Sequence, residues 1–372
     1  AELWIPKGIG HNVHDDILDE WIRRVTDFLA RRGTDASERL YRYRLTHHPD
    51  SRMGVFDPRL SADNRLSGTV LNEEMQAEVL SLLETPPAEN QLKVLITKEA
   101  PCALLNRPIE DLRRKPSILA ERVSQVRLGE AARVIETRGD WSYIRLEHDS
   151  YSGWVHSNSL HVCGESGVKK YQSGLNAIVA ASLAETWNEE GKLVHKIPFA
   201  ALIRVTEERD ALAFIQLPDG RMWKIPKADI LPLEKRPKAD EQGIAQTLEY
   251  VKRFVGVPYL WGGRSPYGFD CSGLAGTFYA FMGVTIPRDA DQQFEAGEVV
   301  PQPAPGDLLF FGEEDEDDGR VHISHVGISL GGDLFIHSNG TDWGTAYNSF
   351  DPRSKLYRKW LHENYRGARR FR

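Results

Sequence analysis

The stretch Val257-Pro258-Tyr259-Leu260-Trp261-Gly262-Gly263, followed by Gly268-Phe269-Asp270-Cys271-Ser272-Gly273-Leu274, is a glycine-rich loop that leads directly into an apolar helix. Cys271 therefore lies at the predicted N-terminus of that helix, where unpaired amides and the helix dipole lower the pKa of a thiol. A thiolate attacks amide carbonyls, and glycines allow another backbone to approach closely. A lone cysteine before a helix is more often structural, so the prediction of a nucleophile depends on finding a base elsewhere.

Two histidines downstream of Cys271 adjoin short apolar strands. His325 lies in residues 324–328 and His337 in residues 335–338. Neighbouring antiparallel strands would bring both imidazoles to one end of a sheet. His325 would then take the thiol proton, and His337 would orient His325 as the third member of a triad. His322 competes for the role of base, but it precedes the strand, so we favour His325.

The composition describes an ordinary folded chain of several domains. It has 372 residues, 41% hydrophobic and 27% charged, and a formal net charge of −7. This charge gives no electrostatic basis for nucleic-acid binding, and no apolar run reaches the roughly 18 residues that span a bilayer.

The three cysteines are Cys102, Cys163 and Cys271, an odd number that leaves at least one free thiol. None has zinc-like spacing, so we expect no metal and no cofactor. Cys102 and Cys163 either form a disulfide or, as we favour, pack as small buried residues.

Four segments follow one another along the chain. Residues 1–90 predict a helical segment, with amphipathic helices over residues 11–32 and 72–84 separated by a polar, irregular stretch. Its default role is packing. Short strands separated by turn residues then predict two small barrels, at 91–168 and at 169–236. The last segment, 237–372, has helices followed by strands, which is typical of an α+β domain.

The motifs of this last segment together resemble the NlpC/P60 peptidase family. In chain order they are Pro258-Tyr259, Trp261-Gly262-Gly263, Asp270-Cys271-Ser272-Gly273-Leu274, Pro305-Gly306-Asp307-Leu308, His325-Val326-Gly327-Ile328 and His337. In the preceding segment, Gly129-Glu130, Gly139-Asp140-Trp141 and Gly153-Trp154-Val155 resemble bacterial SH3 domains. A helical N-terminal segment and two SH3-type barrels ahead of such a domain resemble family members that act on γ-D-glutamyl-diamino acid bonds.

The resemblance implies a papain-like α+β catalytic domain with Cys271, His325 and His337 as its triad. It also implies that Tyr259 lines the site near the oxyanion. The backbone amide of Cys271 is a further candidate donor, because a tetrahedral intermediate needs donors aimed at its developing charge.

The same resemblance implies a stem peptide with a free N-terminal L-Ala, whose ammonium is held by Tyr151, Glu130 and Asp270. A buried ammonium needs such acidic and phenolic partners, although Glu130 and Asp270 could equally be ordinary turn residues. Further candidate substrate contacts are Ser272 and, for the D-Glu carboxylate or the diamino acid, Arg288 and Asp289. Ala290 stands where the family commonly has a serine, so one hydroxyl contact is expected to be missing.

The expected function is hydrolysis of the γ-D-Glu–diaminopimelate bond in peptidoglycan stem peptides or muropeptides by a monomer. The alternatives are a catalytically silent cell-wall-binding protein, and an amidase or acyltransferase on the same fold.

The chain begins at Ala1, as a cleaved secretion signal or an arbitrary boundary would leave it. We expect a periplasmic or cell-envelope protein with its signal removed, and a cytoplasmic one as the alternative. The acidic run at residues 313–318 lacks the spacing of a calcium loop and is expected to be solvated.

Overall fold

The computed structural model describes residues 35–47, 50, 52, 55–97, 100–315 and 321–372. Its contacts divide the chain into two units, Ala1–Glu99 and Ala100–Arg372. The helix expected over residues 11–32 lies outside the described residues. Within the described ranges, no helix combines the length and apolarity that crossing a membrane requires.

In its described residues, the first unit combines two helices with a four-stranded sheet. Its elements are α1 (Asp35–His47), β1 (Phe56–Leu60), β2 (Arg65–Asn72), α2 (Glu73–Ser81), β3 (Glu89–Asn90) and β4 (Lys93–Ile96). The expectation of a helical segment with an irregular middle is therefore wrong here, because α1, β1 and β2 occupy that stretch. Leu66 and Val70 of β2 are buried in the core of this unit. The strand at Lys93–Ile96 pairs in parallel with β2, so it does not open the first barrel as we had expected.

A seven-stranded sheet follows, which we call the first β-domain. Its strands are β5 (Cys102–Leu105), β6 (Ile109–Arg113), β7 (Arg122–Arg127), β8 (Ala131–Arg138), β9 (Trp141–Leu146), β10 (Ser152–His156) and β11 (Leu160–Val162). Their order in the sheet is β11-β5-β8-β9-β10-β6-β7. Helix α3 (Gly164–Gln172) packs on β5. Cys102 and Cys163 pack together near this helix as free thiols.

A second seven-stranded sheet, the second β-domain, repeats this plan. Its strands are β12 (Ala177–Val179), β13 (Leu183–Trp187), β14 (Leu193–Pro198), β15 (Leu202–Arg209), β16 (Leu212–Gln216), β17 (Met222–Pro226) and β18 (Ile230–Pro232). Their order is β14-β13-β17-β16-β15-β12-β18. When the strands of each domain are numbered from one to seven, both sheets have the order 7-1-4-5-6-2-3. Trp154 and Trp223 are buried in the sixth strand of their respective domains.

The C-terminal domain, residues 237–372, places helices against a six-stranded antiparallel sheet. Its helices are α4 (Glu241–Val251), α5 (Cys271–Met282), α6 (Ala290–Ala296) and α7 (Lys359–Glu363). Its strands are β19 (Arg264–Ser265), β20 (Gly268–Phe269), β21 (Glu298–Val300), β22 (Leu308–Glu314), β23 (Val321–Gly331), β24 (Leu334–Asn339), β25 (Gly344–Ser349) and β26 (Tyr365–Arg370). The sheet order is β21-β26-β22-β23-β24-β25. Helix α5 contacts both β23 and β24, which brings the cysteine and histidine elements together as expected.

Both β-domains pack on the C-terminal domain. Phe199 of the second β-domain stacks on Phe281 of α5, with ring centroids 4.3 Å apart. In the first β-domain, the Arg127 Nη2 donates to the carbonyl of Arg264 at 2.8 Å, while the Arg264 Nη1 donates to the carbonyl of Gln125 at 2.7 Å. These reciprocal hydrogen bonds fix strand β7 beside the loop that leads into α5.

Helix α5 can seat against this loop only because residue 273 has no side chain. A Cβ added to Gly273 would lie 2.0 Å from the carbonyl oxygen of Gly263, whereas one added to Gly276 would meet nothing within 4 Å. We therefore expect Gly273→Ala to lower the free energy of unfolding by about 1–3 kcal/mol. Gly276→Ala, in the same helix, should be neutral or stabilising by up to about 1 kcal/mol. Calorimetric unfolding of both variants measures this difference, and equal stabilities would contradict the packing described.

Candidate active site

The first residue of α5 is Cys271, and the residue that caps this helix is Asp270. The Asp270 Oδ1 accepts a hydrogen bond from the Gly273 amide at 2.6 Å, and its Oδ2 accepts one from the Gly262 amide at 2.9 Å. Asp270 thereby holds the glycine loop and the helix together. The Cys271 side chain is buried, and the backbone amides of Ser272 and Val326 lie close enough to its sulfur to lower the pKa of the thiol. The sulfur therefore lies against strand β23 at the residue that follows His325.

A β-bulge sets the direction of His325. Phe311 pairs with His325 and Gly312 pairs with Ile323, so Ser324 is an extra residue in strand β23. Bulges often re-aim side chains next to active sites. The neighbouring strand β24 is tied to the loop before the cysteine, because the Ser338 hydroxyl donates to the carbonyl of Phe269 at 2.8 Å. His322, the competing candidate, is exposed and faces Asp315 at 3.8 Å.

The two histidines form a hydrogen-bonded chain that ends on an asparagine. The His325 Nε2 lies 2.6 Å from the His337 Nδ1, and the His337 Nε2 lies 2.6 Å from the Asn348 Oδ1. The Asn348 Nδ2 donates to the carbonyl of Leu356 at 2.8 Å, which turns the amide oxygen toward His337. Sequence reasoning missed Asn348. The sequence does contain a signal for it: the strand that pairs with the His337 strand in the β24–β25 hairpin has a polar residue at position 348.

The position of the ring protons follows from these contacts. Asn348 presents an acceptor to the His337 Nε2, so this nitrogen carries the proton and the His337 Nδ1 accepts from the His325 Nε2. The His325 Nδ1 then has a lone pair and can act as a base. Asn339 favours the opposite tautomer of His337, because its Nδ2 is a donor that lies 2.9 Å from the same His337 Nε2. The Asn348 contact is shorter, and Asn339 already donates to the Asp342 Oδ2 at 3.1 Å, so we assign the proton to Nε2.

Burial keeps the cysteine and both histidines neutral. Burial, with a further contribution from Asp270, raises the pKa of the Cys271 thiol to about 12, and the two backbone amides only partly oppose this. Burial and the neighbouring His337 lower the pKa of His325 well below its usual value. Burial likewise lowers the pKa of His337 to about 4. The expectation of a lowered thiol pKa at the helix N-terminus is thus reversed. A neutral thiol next to a neutral imidazole requires His325 to take the proton during the attack.

Tyr259 lies next to this pair. Its amide donates to the carbonyl of Trp343 at 3.1 Å, and its side chain lines the same cavity as His325 and His337. Burial raises the pKa of Tyr259, and the nearby Cys271 and Asp270 raise it further. The phenol therefore stays protonated and can donate a hydrogen bond to a developing oxyanion.

A second polar cluster joins the first β-domain to the start of α5. The Arg288 Nη2 lies 2.6 Å from the Asp270 Oδ2, its Nη1 donates to the Ser272 hydroxyl at 2.8 Å, and its Nε donates to the Ser124 hydroxyl at 2.9 Å. The Tyr151 hydroxyl donates to the Asp289 Oδ2 at 3.1 Å. The structure thus brings together five of the six predicted substrate-binding residues: Tyr151, Asp270, Ser272, Arg288 and Asp289.

Glu130, the sixth predicted residue, lines a cavity together with Ser272 and Arg288. Its carboxylate accepts from the backbone amide of Arg127 at 2.9 Å and pairs with the Arg264 guanidinium at 3.3 Å. Although burial raises it, the pKa of Glu130 is lowered overall by Arg264 and His148. This carboxylate already pairs with a buried arginine, and the role of Glu130 in holding the substrate ammonium stays a prediction.

Within the ranges that the structure describes, no group of three or more His, Cys, Asp or Glu side chains could hold a metal ion. Asp315 is described, but residues 316–318 of the acidic run lie outside those ranges.

Asn348 is the residue whose substitution tests the assigned protons. We expect Asn348→Leu to lower kcat for the stem tripeptide implied by the resemblance by on the order of 10²-fold, with little change in KM, because His325 loses its fixed tautomer. Asn348→Asp keeps an acceptor and should retain more activity. Asn339→Leu removes the competing donor together with two hydrogen bonds to Asp342, and it should lower kcat less than Asn348→Leu. Steady-state kinetics on variants with matched unfolding temperatures measure this order, and the reverse order for the two leucine variants would contradict the assignment.

Two family models match parts of this chain. A family model described as "NlpC/P60 family" matches residues 256–369, and one described as "Bacterial dipeptidyl-peptidase Sh3 domain" matches residues 112–160. A gamma-D-glutamyl-L-lysine dipeptidyl-peptidase from Bacillus subtilis is 30% identical over 227 residues, covering 59% of this chain and 72% of that protein. A relative of the same name from Bacillus cereus is 26% identical over 257 residues, covering 67% and 74%.

Solved structures show the same fold. The crystal structure of an NlpC/P60 family protein from Bacillus cereus superimposes with a TM-score of 0.63 at 22% identity, covering 72% of this chain and 99% of that one. An NlpC/P60 endopeptidase from Photobacterium damselae gives a TM-score of 0.52 at 15% identity, covering 67% of this chain and 66% of that one. With the cysteine, the histidine pair and the matched SH3-type domain in place, the chain belongs to the NlpC/P60 family of cysteine peptidases.

Proposed function

We propose that this cysteine peptidase hydrolyses the bond between γ-D-Glu and a diamino acid in peptidoglycan stem peptides that have a free N-terminal L-Ala. The observation on which this depends most is the Asn348–His337–His325 chain, which ends on strand β23 one residue before Val326, whose backbone amide lies by the Cys271 sulfur. The names of the Bacillus relatives, which specify a γ-D-glutamyl-L-lysine bond, support the choice of bond.

The reaction starts when the Cys271 sulfur attacks the carbonyl carbon of the γ-amide while its proton passes to the His325 Nδ1. The backbone amide of Cys271 and the Tyr259 phenol donate to the oxyanion of the tetrahedral intermediate. The C–N bond then breaks, and the departing amine takes the proton from His325. This leaves a thioester on Cys271. Water attacks the thioester, giving its proton to His325, and the C–S bond breaks to release L-Ala-D-Glu and restore the thiol.

We propose that Tyr151 and Asp289 bind the N-terminal ammonium of the substrate. Their side chains meet at the boundary of the first β-domain and the C-terminal domain, and the Asp289 side chain is 23% exposed. Asp270, which we had expected to bind the ammonium, instead caps α5 and pairs with Arg288. Arg288 is buried, so we propose that it positions Asp270 and Ser272, and that it does not itself bind the D-Glu carboxylate.

We also propose how the chain divides into domains. We propose that the second β-domain is a second SH3-type barrel, because its strand order and its buried tryptophan match those of the first. The packing of α5 against β23 and β24 supports a papain-like C-terminal domain. The domain boundaries that we propose are 1–99, 100–168, 169–236 and 237–372, with the first boundary moved by the pairing of β4 with β2.

Relatives that act on cell-wall material indicate an extracytoplasmic role. One, named murein DD-endopeptidase MepH from Escherichia coli, is 36% identical over 124 residues, covering 31% of this chain and 41% of that protein. We propose that the chain works as a monomer in the cell envelope, with the cytoplasm as the alternative compartment.

The choice of substrate is tested by blocking its amino group. We expect the chain to release L-Ala-D-Glu from L-Ala-γ-D-Glu-meso-diaminopimelate, and Cys271→Ala to abolish this release while leaving the unfolding temperature unchanged. N-acetylation of the alanine should lower kcat/KM at least 10-fold, because Asp289 loses the charge it pairs with. Mass spectrometry identifies the products.

Each alternative function gives its own result in that assay. Release of the intact peptide from muramic acid would indicate an amidase. Binding without any cleavage would indicate a silent cell-wall-binding protein. Equal cleavage of the free and acetylated tripeptides would remove the ammonium role from Tyr151 and Asp289.

A further inference from the structure

A cavity of about 370 Å³ opens beside the histidine pair. Its lining includes Tyr259, His325 and His337, together with Asp342, Arg358 and Trp360. All of its lining residues belong to the C-terminal domain, whereas the Tyr151–Asp289 contact involves the first β-domain. The two candidate binding regions are therefore distinct.

The direction of proton transfer assigns this cavity to the leaving group. The amine that departs must collect the proton held by His325, so the residue that carries this amine lies on the His325 side of the sulfur. The N-terminal dipeptide lies on the other side, toward Tyr151. Under the proposed function, the diamino acid is therefore the part of the substrate that enters the cavity.

The cavity places opposite charges next to one another. The Arg358 Nη2 lies 3.1 Å from the Asp342 Oδ1, and the Asp342 Oδ2 accepts from the Asn339 Nδ2 at 3.1 Å. The Arg358 Nη1 also donates to the carbonyl of Tyr357 at 3.1 Å, which fixes the guanidinium. Lys359 adds a second cation to the lining. The charge of Asp342 reaches the catalytic chain, because Asp342 raises and Arg358 lowers the pKa of His337.

We propose that Asp342 and Arg358 bind the side-chain end of the diamino acid and select diaminopimelate over lysine; this inference rests on the proposed function. The side chain of meso-diaminopimelate ends in a carbon that bears both an ammonium and a carboxylate. Its ammonium pairs with Asp342 and its carboxylate with Arg358, with Lys359 nearby. Lysine ends in an ammonium alone, which competes with Arg358 for Asp342 and leaves the guanidinium without an anion from the substrate.

The test compares two tripeptides that differ only at this end. With the full chain, kcat/KM for L-Ala-γ-D-Glu-meso-diaminopimelate should exceed that for L-Ala-γ-D-Glu-L-lysine by at least about 10-fold. Arg358→Gln should abolish most of this preference by lowering only the diaminopimelate value. Lys359→Gln should reduce the preference by a smaller factor, and its exposed side chain makes it a safe second variant if Arg358→Gln fails to fold.

Arg353→Gln is the matched control, because Arg353 is 90% exposed and pairs with Asp351 outside the cavity lining. It should leave both kcat/KM values unchanged. Equal use of the two peptides by the unaltered chain, or an equal loss for both peptides in Arg358→Gln, would overturn this inference and leave the proposed function intact. Cleavage of neither peptide by the unaltered chain would refute the proposed function, and the inference with it.

Discussion

The hydrogen bond between the Asn348 Oδ1 and the His337 Nε2 is the contact that decides the chemistry of the site. His337 is buried and His325 is half-buried, and burial lowers the pKa of both rings, so each neutral ring has one proton that can sit on either nitrogen. An acceptor at one end of the chain orders both protons. It leaves the lone pair at the other end, on the His325 Nδ1, where we propose that it takes the proton of the Cys271 thiol.

Around that chain, the fold divides recognition between two directions. Toward the first β-domain, Arg288 hydrogen-bonds to Asp270, Ser272 and Ser124. The start of α5 and the first β-domain therefore share one polar boundary, at which Tyr151 meets Asp289. On the side away from the first β-domain, the cavity beside His337 is lined by charged side chains of both signs. Binding on both sides of the scissile bond holds the carbonyl at the sulfur, and such positioning lowers the barrier to attack.

The sequence was sufficient to find the reacting groups and insufficient to find their partners. Cys271, His325 and His337 stand in dense local motifs, because a nucleophile at a helix end and bases on strands impose neighbouring residues. The β24–β25 hairpin offers a signal for Asn348, but only once its register is known, and Asp342 lies in the turn of that hairpin, outside the motifs. The pairing of Glu130 with Arg264 and of Asp270 with Arg288 forms only in the folded domain, so the sequence does not show it. Residues 34–70 were predicted to be irregular because β1 and β2 contain Pro58, Gly68 and several polar residues, and because β2 also pairs with β4, a strand outside the hairpin.

The order of protons along the chain is measured most directly by nuclear magnetic resonance of the ring nitrogens in histidine-labelled protein at neutral pH. Our account predicts that the rings of residues 325 and 337 are both neutral and both protonated on Nε2, with bare Nδ1 nitrogens. A proton on the Nδ1 of His325 in the resting protein would contradict it, because the base would then have no lone pair to offer the thiol.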